Sequence, residues 1–166
     1  MRIANIIKND VVNGIGVSVS LFVQGCPFHC EGCFNKDAWD FNGGYETNTL
    51  KGDIVKAISE NGITRNFSIL GGEPLCQNNR KMVKEIVSSV KIAYPNIKIC
   101  LWNGYTLEEL QKENDESLDF ILANLNYLID GRFIQEQKDL TLKWRGSRNQ
   151  NIYELTEDKK YVKINM

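Results

Sequence analysis

Apolar runs of strand length alternate along the chain with stretches of helical spacing. Val17 to Val23 is a β-branched and apolar strand ending at Gln24-Gly25. Asp53 to Ile58, starting near Thr49, reads as a short amphipathic helix stopped by Asn61-Gly62. Phe67-Ser68-Ile69-Leu70 is a short buried strand running into Gly71-Gly72. From Asn78 to Ala93, Met82, Val83, Ile86, Val87 and Val90 recur at helical spacing, and Pro95 closes that helix. Ile97 to Leu101 is a further strand, and the Thr106 hydroxyl suits the N-cap of a helix over Leu107-Glu108-Glu109-Leu110. Leu118 to Leu125 gives another helix, and Tyr127-Leu128-Ile129 a strand ending at Asp130-Gly131.

Strands separated by helices imply βαβ units and a mainly parallel α/β sheet. The strands are too few for a closed eight-stranded barrel, so the expectation is an open, partial parallel βα barrel. Ligands in such folds gather at the carboxyl ends of the strands. The cysteine loop, Gly71-Gly72-Glu73-Pro74, Asn103-Gly104-Tyr105 and Asp130-Gly131-Arg132 each follow a predicted strand. Four such loops on one rim predict one active site.

With 166 residues the chain is expected to form one domain over its whole length. A formal net charge of −1 gives no general attraction to nucleic acid or anionic membrane. The first residues, Met1-Arg2-Ile3-Ala4-Asn5, lack the apolar run of a secretory signal, and no apolar stretch nears the ~20 residues of a membrane span. The expected location is therefore the cytoplasm, where the five cysteines stay reduced.

Three of those cysteines fall in Cys26-Pro27-Phe28-His29-Cys30-Glu31-Gly32-Cys33, spaced C-x3-C-x2-C. A cubane held only by protein needs four thiolates, and structural zinc needs four ligands. Three thiolates from one loop leave a metal position open, which is the mark of a reactive site. Zinc bound with His29 is an alternative, although His29 directly precedes Cys30 and has little freedom to reach the same ion. Cys76 is a second alternative as a closing ligand, whereas Cys100 lies in an apolar strand and reads as core.

The cysteine loop followed by Gly71-Gly72-Glu73-Pro74 resembles the radical S-adenosylmethionine enzymes. The resemblance implies a [4Fe-4S] cluster on Cys26, Cys30 and Cys33, with S-adenosyl-L-methionine chelating its open iron. Reduction then cleaves the sulfonium and yields a 5′-deoxyadenosyl radical. It further implies that the backbone of Gly71, Gly72 and Glu73 binds the methionine amino group. Family members often carry an aromatic residue before the third cysteine; this chain has Gly32 there and Phe34 just after Cys33. The backbone of Gly32, Cys33 and Phe34 is expected to meet the adenine, with the Phe34 ring packing nearby.

Asp130-Gly131-Arg132 resembles an element of glycyl-radical activating enzymes, which implies that Asp130 and Arg132 pair with the amino and carboxylate groups of one amino-acid moiety. Asp10 to Gly16, Phe133 and Arg145-Gly146-Ser147-Arg148-Asn149-Gln150 extend the likeness to activating proteins of anaerobic (class III) ribonucleoside-triphosphate reductases. Ile15 and Ser18 replace that family's usual proline and arginine, and Trp102 replaces an aspartate that holds a monovalent cation in some related activases, so none of those roles carries over.

The implied reaction is hydrogen abstraction from a glycine Cα of the large reductase subunit, with a flavodoxin-type protein as electron donor. Phe133, Trp144, Arg145 and Arg148 are candidates for touching that partner or the cofactor. Two other readings stay open at this stage. One is a small-molecule radical enzyme of the deazaguanine-forming kind, which should lack the late Arg-Gly-Ser-Arg-Asn-Gln segment. The other is a non-catalytic iron–sulfur or zinc module, which needs a fourth protein ligand.

Overall fold

Strand β1 (Ile3–Asp10) leads into β2 (Ser18–Val23), and helix α1 (Leu50–Ile58) carries the chain to β3 (Asn66–Gly71). Helix α2 (Gln77–Ala93) then precedes β4 (Ile99–Trp102), and helices α3 (Leu107–Lys112) and α4 (Glu116–Asn124) precede β5 (Tyr127–Asp130). Strands β6 (Asn151–Leu155) and β7 (Tyr161–Ile164) close the chain. The computed structural model describes residues 1–166.

One seven-stranded sheet runs in the order β1 to β7 without reversal. Strands β2 to β5 are parallel and in register through Ser20, Ser68, Cys100 and Tyr127. Right-handed crossovers that always step in the same direction leave their helices on one face of the sheet. Val19, Leu21, Val23, Phe67, Ile69, Ile99, Leu101 and Leu128 point to that face at period two. They meet Ile54, Ile58, Val83, Ile86, Val90, Leu110, Leu118 and Ile121 in one continuous core. The opposite face carries Ser18, Ser20, Ser68 and Cys100, all fully buried. The loop after β1 covers it: Ser68 Oγ donates to Asn13 O at 2.7 Å, and Asn66 Nδ2 donates to Ile15 O at 2.8 Å.

The helix ends follow their sequence signals. Thr106 Oγ1 accepts from Glu109 N at 3.1 Å while Glu109 Oε2 accepts from Thr106 N at 2.7 Å, a reciprocal cap on α3. Asp115 Oδ1 accepts from Leu118 N at 2.8 Å and caps α4. The other end of α1 is closed by Arg65, only 3% exposed, whose Nη1 donates to Ala57 O, Glu60 O and Ile63 O.

The expectation of a mainly parallel sheet needs correction, because three of the six strand pairings are antiparallel. Periodicity missed β1, β6 and β7 for a physical reason. β6 buries only Ile152 and β7 buries no residue at all, so backbone pairing rather than an apolar stripe holds them. No helix is long and apolar enough to cross a membrane. Thr106→Ala is expected to cost about 1 kcal/mol of unfolding free energy, read by urea denaturation, because Glu109 N loses the Thr106 hydroxyl that caps it, while the backbone N–H of residue 106 keeps the Glu109 carboxylate.

Candidate active site

The carboxyl ends of the four parallel strands do bring the four loops together, and main-chain hydrogen bonds do most of the joining. Past the last paired residues of β2 and β3 the ladder continues: Gly72 N donates to Val23 O and Glu73 N to Gly25 O, both at 2.8 Å. Gly71 makes this possible with φ +110°, and a Cβ there would run into the Val23 backbone. The chain beyond the cysteines returns to support them, since Gly25 N donates to Ala38 O at 2.8 Å and Cys26 N to Trp39 O at 3.1 Å.

Glu73 joins the turn after β3 to the loop after β4. It is 1% exposed; Oε1 accepts from Leu75 N at 2.8 Å and Oε2 from Gly104 N at 2.6 Å. Both oxygens are therefore spent inside the protein rather than offered to a ligand. The loop after β5 is tied on next, with Gly131 N donating to Tyr105 O at 3.0 Å. Phe28 of the cysteine loop meets Tyr105 edge-on at 4.8 Å, and the Arg132 guanidinium lies 4.3 Å above the Phe28 ring.

The three cysteines are free thiols, each half-buried on this rim. Burial pushes Cys26 up to about 11 against backbone hydrogen bonds at Phe28 and His29. Cys30 is also raised, again mainly by burial, with a backbone hydrogen bond at Phe133 and the Arg132 charge pulling it back. Thiols in this setting keep their protons unless bound iron supplies the positive charge. No three His, Cys, Asp or Glu side chains converge on a point that one metal ion would fill. The donor set, three soft thiols spread along one loop, fits a cluster with several irons.

His29 takes φ +48° and stacks its ring on Trp39 at 4.7 Å. Cys76 is buried at the start of α2, and Cys100 is buried in the sheet and pushed up to about 12.

A family model described as a 4Fe-4S single cluster domain matches residues 12–153. The chain is 41% identical over 149 residues to the anaerobic ribonucleoside-triphosphate reductase-activating protein of Vibrio cholerae, covering 89% of this chain and 94% of that protein. The protein of the same name from Escherichia coli K12 is 37% identical over 148 residues, covering 88% of this chain and 94% of its own. That of enterobacteria phage T4 is 36% identical over 152 residues, covering 89% and 90% respectively. This chain belongs to the anaerobic ribonucleoside-triphosphate reductase-activating protein family.

Within this member of the activating-protein family, the other residues marked by sequence fall into two groups. Some face the rim and some build it. Asp130 builds: it is 1% exposed, its Oδ2 accepts from Leu107 N at 2.7 Å, and its Oδ1 accepts from Asn151 N and Nδ2 at 3.2 and 3.0 Å. Asp130 thus fixes α3 and β6, and of the Asp130–Arg132 pair only Arg132 is exposed. Gly32 has φ +74° and lies against the Gln135 and Phe133 side chains, which leave no room for an aromatic ring. Phe34 is 93% exposed and packs against nothing.

The segment Arg145 to Gln150 braces the loop after β5. Gln150 Nε2 donates to Gly131 O and Asn149 Nδ2 to Arg132 O, both at 2.8 Å. Trp144 packs edge-on against Trp102 and Tyr127, Arg145 donates to Met166 O, and Arg148 stays exposed.

Sequence reasoning missed Gln24, Asn79 and Arg80, all at most 3% exposed. Arg80 grips Leu75 O with Nε and Nη2 at 3.0 and 2.7 Å and pairs with Glu113 at 2.6 Å, which holds the glycine turn from behind. One signal was present, since Asn79 lies one turn before Val83 on the apolar face of α2.

Burial raises Glu73 from 4.5 to about 7, although the N–H groups of Gly104 and Leu75 and the charges of Arg80 and Arg132 oppose the shift. A carboxyl whose folded pKa exceeds its unfolded value stabilises the fold fully below the unfolded pKa. That contribution is lost as pH rises through the folded one. Urea denaturation at a series of pH values should therefore show the apo protein losing on the order of 3 kcal/mol relative to Glu73→Gln between about pH 4.5 and 7.

Proposed function

We propose that this chain is a radical S-adenosylmethionine activase that generates a glycyl radical on the large subunit of an anaerobic ribonucleoside-triphosphate reductase. One observation carries the reading. A three-cysteine loop and a Gly-Gly-Glu-Pro turn emerge from adjacent parallel strands and are hydrogen-bonded to each other where the strands end. The names of the relatives support the choice of reductase as target, and the matching 4Fe-4S family model supports the cluster.

In this reading Cys26, Cys30 and Cys33 hold three corners of a [4Fe-4S] cluster, and the backbone of Gly71, Gly72 and Glu73 takes the methionine amino group of S-adenosyl-L-methionine. Held there, a reduced cluster would supply the electron for reductive cleavage of the sulfonium to methionine and a 5′-deoxyadenosyl radical, the species that would take a hydrogen atom from the target glycine. Arg132, held over Phe28, supplies the cation for the cofactor carboxylate. Asp130 serves that end indirectly, by fixing the strand from which Arg132 projects. The backbone of Gly32 to Phe34 takes the adenine. The bare Phe34 ring leaves that side of the site to be covered by the protein substrate.

The unreversed strand order with crossover helices on one face supports a minimal, open βα barrel of the radical S-adenosylmethionine type as a single domain over 1–166. Reduced thiols and such a target belong in the cytoplasm, and a flavodoxin-type donor is the proposed source of electrons.

The test is anaerobic incubation of the reconstituted protein with reductant, S-adenosyl-L-methionine and purified large reductase subunit. Electron paramagnetic resonance should show a glycyl radical on the subunit, and its absence with cofactor cleavage intact would remove the substrate. Cys26→Ala, Cys30→Ala and Cys33→Ala should each abolish cluster-dependent cofactor cleavage. Cys76→Ala should keep full iron content, since Cys76 is buried at the start of α2 and is no cluster ligand in this account.

A further inference from the structure

The third residue of α2, Asn79, is 2% exposed on the face that also carries Val83 and Val90. Its Nδ2 donates to Gln24 O at 3.1 Å and to Glu73 O at 3.0 Å. Gln24 is the last residue before Gly25-Cys26, and Glu73 belongs to the glycine turn. The neighbouring carbonyls, Val23 O and Gly25 O, already bond the turn through Gly72 N and Glu73 N. The alternation of an extended backbone aims Gln24 O elsewhere, toward α2. Asn79 is the only donor to either carbonyl.

We propose that Asn79 is a positioning residue that sets the spacing between the cysteine loop and the Gly71–Pro74 turn by holding one carbonyl of each on a single amide nitrogen. Only a primary amide at this reach provides two protons from one nitrogen. Aspartate offers none when ionised, leucine none at all, and glutamine is one methylene too long. Gln24 is gripped from its other side as well, its Nε2 donating to Asp37 O and Asp40 O at 2.9 and 2.8 Å. The entrance of the cysteine loop is thereby locked both to the chain that returns from it and to α2.

The consequence separates two events. Cluster assembly needs the cysteine loop alone, whereas a cofactor chelated at the cluster and bound by the turn needs both at a fixed distance. This rests on the reading of the turn as the methionine site.

The experiment compares Asn79→Ala with Val83→Ala, a fully buried core residue one turn further along the same helix whose apolar side chain makes no hydrogen bond to either loop. Iron content, melting temperature and the S-adenosyl-L-methionine dissociation constant, read from the cofactor-induced change in the reduced-cluster resonance spectrum, are measured for each. Asn79→Ala should keep full iron content and weaken cofactor binding about tenfold, the factor that 1.4 kcal/mol makes. Val83→Ala, with a comparable drop in melting temperature, should weaken it less than about twofold.

Equal weakening in both variants would overturn the proposal and leave Asn79 a residue of fold stability only. If Asn79→Ala does not fold, the near-isosteric Asn79→Asp is read in the same way, and failure of both to fold would also overturn it. A wild-type protein that never binds the cofactor would instead sink the functional reading on which this rests.

Discussion

A buried carboxyl group with no side-chain partner in hydrogen-bond contact holds this rim together. Glu73 accepts one N–H from its own turn and one from the loop after β4, and it is nearly free of solvent. Leaving two N–H groups unpaired in such a place would cost a few kcal/mol, so the two loops are held in contact. The same logic governs the whole rim. Strand β2 passes its ladder on to the turn through Val23 O and Gly25 O, and Asp130 ties α3 and β6 to the end of β5. Acidic side chains here organise backbone, which leaves the thiols, the exposed Arg132 and backbone groups of the rim facing outward.

That division explains which residues were legible in the sequence. The cysteine spacing, the glycine turn and the Thr106 cap are local signals, and each was read at the right place. The parallel strands were legible because Val19, Leu21, Val23, Phe67 and Ile69 are buried by side-chain packing, which leaves an apolar pattern. Strands β6 and β7 and the late segment at Arg145 to Gln150 leave no such pattern. They are held by main-chain pairing and by amide side chains reaching carbonyls some 17 to 19 residues away. Asp130 was legible as important but not as structural, because sequence does not tell whether a carboxylate at a strand end turns inward or outward.

The exposed parts of the site are as informative as the buried ones. Phe34 stands 93% exposed beside Cys33, and Arg132 reaches over Phe28 from the opposite loop. A ring this bare next to half-buried thiols is the surface that the proposed protein substrate would cover. The late segment braces that surface through Asn149 and Gln150 on the backbone of Gly131 and Arg132. It thereby shapes the loop that presents the one exposed cation of the Asp130–Arg132 pair.

The central claim is that three thiolates leave one iron of a cubane free for the amino group of a sulfonium cofactor. Electron–nuclear double resonance on the reduced, reconstituted cluster addresses it directly, using cofactor labelled at the amino nitrogen. The account predicts a hyperfine coupling from that label to the cluster. A cluster of full iron content that shows no such coupling, with its fourth iron bound instead by a side chain of the protein, would contradict it.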